Sequence, residues 1–351
     1  MANFVSVILP CRNEERTIGE CIRKAKKALN DNGIEGEIII SDSSHDDSAG
    51  IAKRLGVKVV RHSKEGYGYA YHEGIKAAKG SIIIMGDADN TYDFSEIPKL
   101  ISKCQNNDIV IGSRFKGKIT KGAMPWLHQY IGNPALSFLL RLFFGIKVKD
   151  TQSGFRLVKK EAWKKLNLQT NGMEFASEML IKAAILRMKI AEVPITYYPR
   201  EVGSESKLRS FRDGWKHLRF MLLYSNSLVF LIPGSIFLLA GILSFIFYRN
   251  LLPLTYIASF LTIVGYQIIL LGLFAKVYAS VHLKTGSRFV DFVNRHISLE
   301  KAIFASLLLI ALSHASLYFT KNLVIFMTLV IIGIQSFFGA LFLSIIGIEE
   351  K

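Results

Sequence analysis

Asp87 and Asp89 stand one residue apart, directly after the apolar run SIIIMG at 81–86. If that run is a strand, both carboxylates leave its end together and reach one hard divalent cation, Mg2+ or Mn2+, shared with substrate phosphates. Such a cation stabilises the negative charge that grows on a diphosphate leaving group. Solvated turns also carry Asp-x-Asp, so it is the strand end that gives this pair its meaning. Polar clusters follow the other apolar runs in the same way. Pro10-Cys11-Arg12-Asn13-Glu14-Glu15 closes the first, and Ser41 to Ser48, reading SDSSHDDS, closes the second. Asp42 has two readings there: an acceptor for a nucleobase or ribose, or a cap on the helix near 47, a job open also to Ser44 and Asp46. Gly66-Tyr67-Gly68 either brings backbone amides towards phosphate at a helix start or is a plain tight turn.

The elements that must position these residues are legible from the apolar pattern. Short Ile/Val-rich runs at 4–10, 37–41, 57–60, 81–86 and 108–112 alternate with amphipathic stretches at about 15–31, 47–55, 67–79 and 94–104. Continuous runs of that length suit strands buried on both faces of a parallel sheet. The alternation predicts βαβ units and a doubly wound, Rossmann-like α/β layer. Ligands of such sheets bind at the carboxyl ends of the strands, where the three polar clusters lie.

The chain has 351 residues, 50% of them apolar, 21% charged, with a net charge of +16. Stretches free of Asp, Glu, Lys and Arg run through 220–248, 250–275, 302–320 and 322–348. About 20 apolar residues cross a bilayer as a helix, so four spans are expected, near 228–248, 251–275, 302–320 and 323–347. A freely soluble enzyme and a disordered or collagenous chain are excluded. The expected organisation is a catalytic domain at 1–205, a basic juxtamembrane amphipathic helix at 206–224 and an all-helical membrane domain at 225–351. The first 220 residues carry a net +12, which suits an anionic leaflet and phosphate-bearing substrates rather than nucleic acid. Lys276, Lys284, Arg288, Arg295 and Lys301 crowd the loop between the second and third spans, against Arg249 and Lys321 in the other two loops. That bias puts the middle loop, and with it the N-terminal domain, on the cytoplasmic side. The N-terminus lacks a signal-peptide pattern, and Cys11, Cys21 and Cys104 are too scattered for a disulfide framework or a zinc site; both agree with a cytoplasmic location.

The motifs NEERTI, SDSSHDDS, GDADNTYDF, GSRF (112–115), DTQSGFR (150–156), FASEML (175–180) and R-x-x-G-x-x-SKL (200–208) occur in this order. Together they resemble the inverting glycosyltransferases of family 2 with a GT-A fold, and within it the dolichyl-phosphate mannose and glucose synthases. The resemblance covers residues 4–220 and implies transfer of a hexose from a nucleotide-diphosphate sugar to a polyprenyl phosphate. It implies that Pro10, Arg12 and Glu14 border the nucleotide, with Asp42 near the base. Asp87 and Asp89 would hold the metal and diphosphate; Arg114 would meet the acceptor phosphate, the alternative being a surface ion pair. Arg200, Ser206 and Lys207 would close over the phosphates; arginine forks and a lysine point charge suit phosphate oxygens. Glu178 either positions the acceptor or an arginine, or makes a structural pair. Mannose synthases tend to carry Gln where Thr91 stands, and TYDFSEIP is closer to the glucose-synthase branch. The lean is therefore to a UDP-sugar, glucose or N-acetylglucosamine, with GDP-mannose still open.

Two further readings stay open: a processive polysaccharide synthase of the same family, for which no Gln-x-x-Arg-Trp segment is found, and a non-catalytic scaffold or lipid-linked sugar translocator. The expected partners are the nucleotide sugar, the polyprenyl phosphate and the membrane, with a homo-oligomer also possible. Asn133-Pro134 followed by ALSFLLRLFFG has a cap, a first-turn proline and a terminating Gly145. It is too short to span. With Trp126 upstream and Arg141, Lys147 and Lys149 nearby, it reads either as a helix in the membrane interface or as a buried helix of the catalytic domain. Lys207, Arg209, Arg212, Lys216 and Arg219, just before the first span, favour attachment to an anionic leaflet. Within the spans, His314 is the one ionisable group, read as a helix-packing hydrogen bond.

Overall fold

The computed structural model describes residues 4–201, 210–248, 251–283, 290, 292 and 298–347. The chain divides into two units, Met1–Met221 and Leu222–Lys351. In the first, a mixed sheet holds β1 (Val5–Cys11), β2 (Gly36–Asp42), β3 (Lys58–Arg61), β4 (Ile82–Met85), β5 (Ile109–Ile119), β6 (Arg156–Lys159) and β7 (Ile190–Tyr197) in the order β3-β2-β1-β4-β6-β5-β7. The connecting helices are α1 (Ile18–Asp31), α2 (Ser48–Arg54), α3 (Tyr67–Lys76) and α4 (Ile97–Ser102).

The five apolar runs of the sequence are β1 to β5. Two strands carried no such signal. β6 is the four-residue RLVK, and β7 reads IAEVPITY, with Pro194 tolerated because β7 is an edge strand. The sheet is parallel except where β6 runs against β4 and β5. Both faces are covered, which is why the strands read as unbroken apolar runs. Val7, Leu9, Ile38, Ile40 and Ile84 pack with Ile18 and Ile22 of α1 and with Phe94, Phe155 and Leu157. Ile8, Ile39 and Ile83, pointing the other way, are equally buried.

Register decides what meets at the edge. Cys11 pairs with Asp42, and Ile8 with Met85, so β1, β2 and β4 all end on one side. Because β6 is antiparallel, Arg156 lies opposite Met85, and the start of β6 reaches that same side. Beyond β5 come a π-helical turn at His128–Gly132, α5 (Asn133–Phe144), α6 (Lys160–Leu166), α7 (Phe175–Ile185) and α8 (Ser210–Tyr224).

The second unit takes in the end of α8 and a π-helical turn at Ser227–Leu231, then α9 (Ile232–Tyr248), α10 (Leu252–His282), α11 (Leu299–Thr320) and α12 (Leu323–Ile346). Four helical stretches, Ser227–Tyr248, Leu252–His282, Leu299–Phe319 and Leu323–Ile346, are long and apolar enough to cross a membrane, the make-up of a multi-pass membrane protein. The second is longer than the expected 251–275: it runs 31 residues, straight through Lys276. A lysine ends an uncharged stretch but does not break a helix, and at 1.5 Å per residue α10 is about 46 Å long, more than a hydrocarbon core needs. Side chains cap the starts of α11 and α12: Ser298 accepts from Lys301 N, and Asn322 from Val324 N and Ile325 N.

Small residues set the helix crossings. A methyl added at Gly241 of α9 would strike Thr262 of α10, and one at Gly265 would strike Leu238, so the two backbones touch through glycines, as membrane helices often do. Between α10 and α12, Ser259 meets Thr328 at 2.7 Å, and Gln335 Nε2 donates to Gln267 Oε1 at 2.9 Å. His314 Nδ1 lies 3.0 Å from the Ile310 carbonyl, and its ring packs edge-on to Phe326. Gly241→Leu is expected to overpack the α9–α10 crossing at a cost of about 1–3 kcal/mol, read as a lower melting temperature in detergent; an unchanged melt would mean the crossing lies elsewhere.

Candidate active site

The loops after β1 and β2 are stitched to each other. Asn13, with φ +54°, donates its amide to Ser44 Oγ at 2.8 Å and accepts from His45 N at 2.9 Å. Glu14 N donates to Ser48 Oγ at 2.9 Å, and Asp46 accepts from Glu15 N, Ser48 N and Ser48 Oγ. Burial opposes charge on Asp46, yet those donors hold its carboxyl below the usual range. Asp46 therefore serves the start of α2. Asp42 is buried beside it: Oδ1 accepts from Ser44 N at 3.3 Å, while Oδ2 makes no hydrogen bond and sits 3.6 Å from Arg61.

After β4, Thr17 of the first loop donates to the Ala88 carbonyl at 2.8 Å, which ties the acidic turn to the start of α1. Asn90 adopts φ +60°, and Lys24 donates to its side chain at 3.0 Å. Asp89 is buried. Its Oδ1 accepts from Thr91 N and, at 2.6 Å, Thr91 Oγ1; its Oδ2 pairs with Arg200 at 2.5 Å. Asp87 has its pKa raised to about 7, first by burial and then by the charge of Asp89, against the opposing pull of Arg200. Burial also works against charge on Arg200, but the two carboxylates more than offset it and hold its pKa above the ordinary value.

These groups meet in a cleft of about 250 Å3 lined by Pro10, Arg12, Glu14, Asp87, Asp89 and Arg200, all singled out in the sequence. Ser43, Gly66, Tyr67 and Met173 are also part of the wall. Tyr67 belongs to the Gly-Tyr-Gly turn, which lies tight against the loop between α6 and α7: Tyr69 N donates to the Asn171 carbonyl at 3.2 Å, and a methyl on Gly68 would strike the Thr170 carbonyl. Gly154, just before β6, has the matching role on the other side. A Cβ there would come within 2.7 Å of the Tyr67 hydroxyl and 3.0 Å of Asp87 Oδ2. Met173 sits in a loop without periodicity and left no sequence signal.

Arg114 has a different immediate environment from the one the sequence suggested. Its Nε and Nη2 fork onto Asp150 at 2.8 Å each, its amide donates to the same carboxylate, and Tyr197 lies under the guanidinium at 5.2 Å. The pair is buried, with side-chain exposures of 7% and 0%, and does not line the cleft. Glu178 makes the structural pair: it accepts from Gln169 N, Thr170 N and Thr170 Oγ1 and bridges to Lys182 at 2.7 Å. Ser206 and Lys207 lie outside the described residues. Among those described, no three His, Cys, Asp or Glu side chains gather to cage a metal unaided. What fits is a hard cation held by the two oxygen donors of the acidic turn and completed by substrate oxygens.

Two outcomes follow from this geometry. Asp150→Ala strands a buried guanidinium and is expected to cost about 3–5 kcal/mol, measured as lost thermal stability. The raised Asp87 carboxyl binds its proton more tightly folded than unfolded, so it makes the ligand-free protein less stable as pH rises from its ordinary 3.8 to about 7. Asp87→Asn is expected to flatten that part of the pH–stability profile; an unaltered slope would exclude Asp87 as its source.

Residues 6–166 match glycosyl transferase family 2. The low-salt glycan biosynthesis hexosyltransferase Agl6 of Haloferax volcanii is 36% identical, covering 99% of this chain and 90% of that protein. A dolichyl-phosphate hexose transferase of the same organism is 32% identical over 60% of this chain and 89% of its own length. Among solved structures, glucosyl-3-phosphoglycerate synthase of Mycobacterium tuberculosis, in complex with Mn2+, UDP and glucosyl-3-phosphoglycerate, superposes with a TM-score of 0.53 at 22% identity, over 64% of this chain and 80% of that one, a likeness of fold. With one relative matched along nearly its whole length, helical C-terminal unit included, the chain belongs to glycosyltransferase family 2 and is a hexosyltransferase of the GT-A fold.

Proposed function

We propose that the protein transfers a hexose, with inversion, from a nucleotide-diphosphate sugar to a polyprenyl phosphate of the dolichyl type at the cytoplasmic membrane face. The observation that carries this reading is the convergence of Asp87, Asp89 and Arg200 on one cleft with the strand-end residues Pro10, Arg12 and Glu14. The name of the dolichyl-phosphate hexose transferase relative supports the acceptor class, and the four apolar helices support a lipid-borne acceptor. The basic loop between the second and third spans supports the cytoplasmic side. A UDP-sugar, of glucose or N-acetylglucosamine, is favoured by Thr91 and the TYDFSEIP wording, with GDP-mannose the alternative.

In this reading Pro10, Arg12 and Glu14 border the nucleotide, with Asp42, which is buried, near the base. Asp87 and Asp89 would hold Mg2+ or Mn2+, which would supply positive charge to neutralise the departing diphosphate. Arg200 adds a guanidinium shared between Asp89 and the phosphates. The acceptor oxygen is already anionic at neutral pH, so orientation rather than proton removal is the task of the chain. Arg114 keeps Nε and Nη2 on Asp150, which leaves Nη1 to orient the acceptor phosphate with Ser206 and Lys207.

The test is a membrane assay with labelled UDP- and GDP-sugars and a polyprenyl phosphate, the lipid product identified by mass. A single sugar added to the lipid phosphate is expected; a polymer, or donor binding without glycolipid, would overturn the reading. Asp89→Ala is expected to abolish transfer in a folded protein. Arg200→Ala should lower kcat/KM roughly ten- to a hundredfold, the loss of a charge-assisted hydrogen bond of about 1.5–3 kcal/mol.

A further inference from the structure

Gln152, Ser177 and His217 stand far apart in the sequence and form one hydrogen-bonded chain inside the catalytic unit. His217 lies on α8, is buried, and brings Nδ1 to 2.8 Å from Ser177 Oγ on α7. Ser177 is fully buried, and its Oγ also accepts from Gln152 Nε2 at 3.4 Å. A side-chain amide nitrogen can only donate, so Ser177 receives from Gln152 and has one hydrogen left to give. Nδ1 of a neutral imidazole takes that hydrogen, with the ring proton on Nε2. Each link of the chain then joins one donor to one acceptor, as a buried polar network requires.

We propose that His217 is a positioning residue for the acceptor side of the reaction: through Ser177 and Gln152 it fixes the segment at 150–152, and with it the direction of the Arg114 guanidinium. Gln152 is two residues from Asp150, whose carboxylate takes the Arg114 fork. Glu192 accepts from Lys149 N and Asp150 N, and Arg156 donates to the Thr151 and Ser153 carbonyls, so the main chain of the segment is held from β7 and β6. The Gln152 side chain adds the hold from α7 and α8. The donor side is tied independently. Gly154 N donates to the Tyr92 hydroxyl at 2.8 Å, Thr91 and Arg200 bind Asp89, and Tyr198 N donates to the Thr91 carbonyl at 2.9 Å. α8 is the helix that follows the basic motif and ends at Tyr224, just before the first membrane-length stretch begins at Ser227. The helix that leads into that stretch is thereby hydrogen-bonded to the segment that aims Arg114. The inference rests on the proposed transfer to a polyprenyl phosphate, in which Arg114 orients the acceptor.

Separate Michaelis constants for donor and acceptor, measured on the full-length protein in detergent with a short-chain polyprenyl phosphate, test it. His217→Leu is expected to raise the acceptor KM about tenfold and to leave the donor KM within about twofold, because only the acceptor ligand is misdirected. His217→Asn, whose side-chain oxygen accepts in place of Nδ1, should bring the acceptor KM back towards wild type. Ser177→Ala should reproduce His217→Leu, and the double variant should be no worse than either alone. A purely structural role would lower kcat with the folded fraction and leave both KM values in place; that result, or an equal rise in both, would overturn the proposal. Hydrogen exchange of the substrate-free protein gives a readout without turnover. Amides at 150–153 should exchange faster in His217→Leu and those at 87–91 should not; unchanged exchange at 150–153, with wild-type transfer intact, would sink the positioning role alone. Wild-type protein that makes no glycolipid would instead remove the transfer reading on which the role rests.

Discussion

Two carboxylates confined to one strand end, Asp87 and Asp89, set the terms for the catalytic unit. Placing like charges side by side in a poorly hydrated cleft is unfavourable, and the raised pKa of Asp87 records it. The structure answers with one guanidinium, Arg200, on Asp89, and with Thr91 donors to the other oxygen of that carboxylate. Asp87 keeps surplus negative charge facing the cleft. Surplus negative charge of this kind suits a divalent cation, and it is held in place by the sheet rather than by the side chains alone.

The sheet does so through its one reversed strand. Parallel β1, β2 and β4 bring their carboxyl ends together, as a doubly wound sheet must. β6 runs the other way, and this brings Gly154 against Tyr67 and Asp87 from the far side. The same reversal sets Asp150, six residues before β6, opposite Arg114 at the end of the regular part of β5. A buried bidentate pair needs its geometry fixed on both sides to offset desolvation; here the Arg114 amide also donates to Asp150, so backbone and side chain are locked by one carboxylate. The stretch DTQSGFR thereby works as a brace. Arg156, fully buried, donates to the carbonyls of Thr151, Ser153 and Ala176 and closes the loop on itself.

The helical unit follows different rules. Its apolar surface has no core to hide in, and the close crossings run through glycines and paired hydroxyls or amides instead. The catalytic unit also keeps an apolar face of α5 exposed; a helix buried against protein and a helix lying on lipid have the same composition, and only the direction of each side chain separates them.

The sequence by itself determined the first five strands, the four apolar spans and the acidic and basic residues of the cleft, because each rests on a local property: an apolar run, a missing charge, a polar cluster at a strand end. It could not determine β6 and β7, since a four-residue strand and an edge strand containing Glu192 and Pro194 have no periodicity to read. Nor could it find Met173, or show that α10 continues through Lys276. Partnership was decided only by tertiary structure. Arg114 reads in the sequence as a phosphate ligand or half of a surface ion pair; the fold supplies the partner, Asp150, 36 residues away, and buries the pair. Glu178 was undecided until the amides of Gln169 and Thr170 were seen to converge on it. Charge is written in the chain, but what neutralises it depends on distances that only the packed sheet fixes.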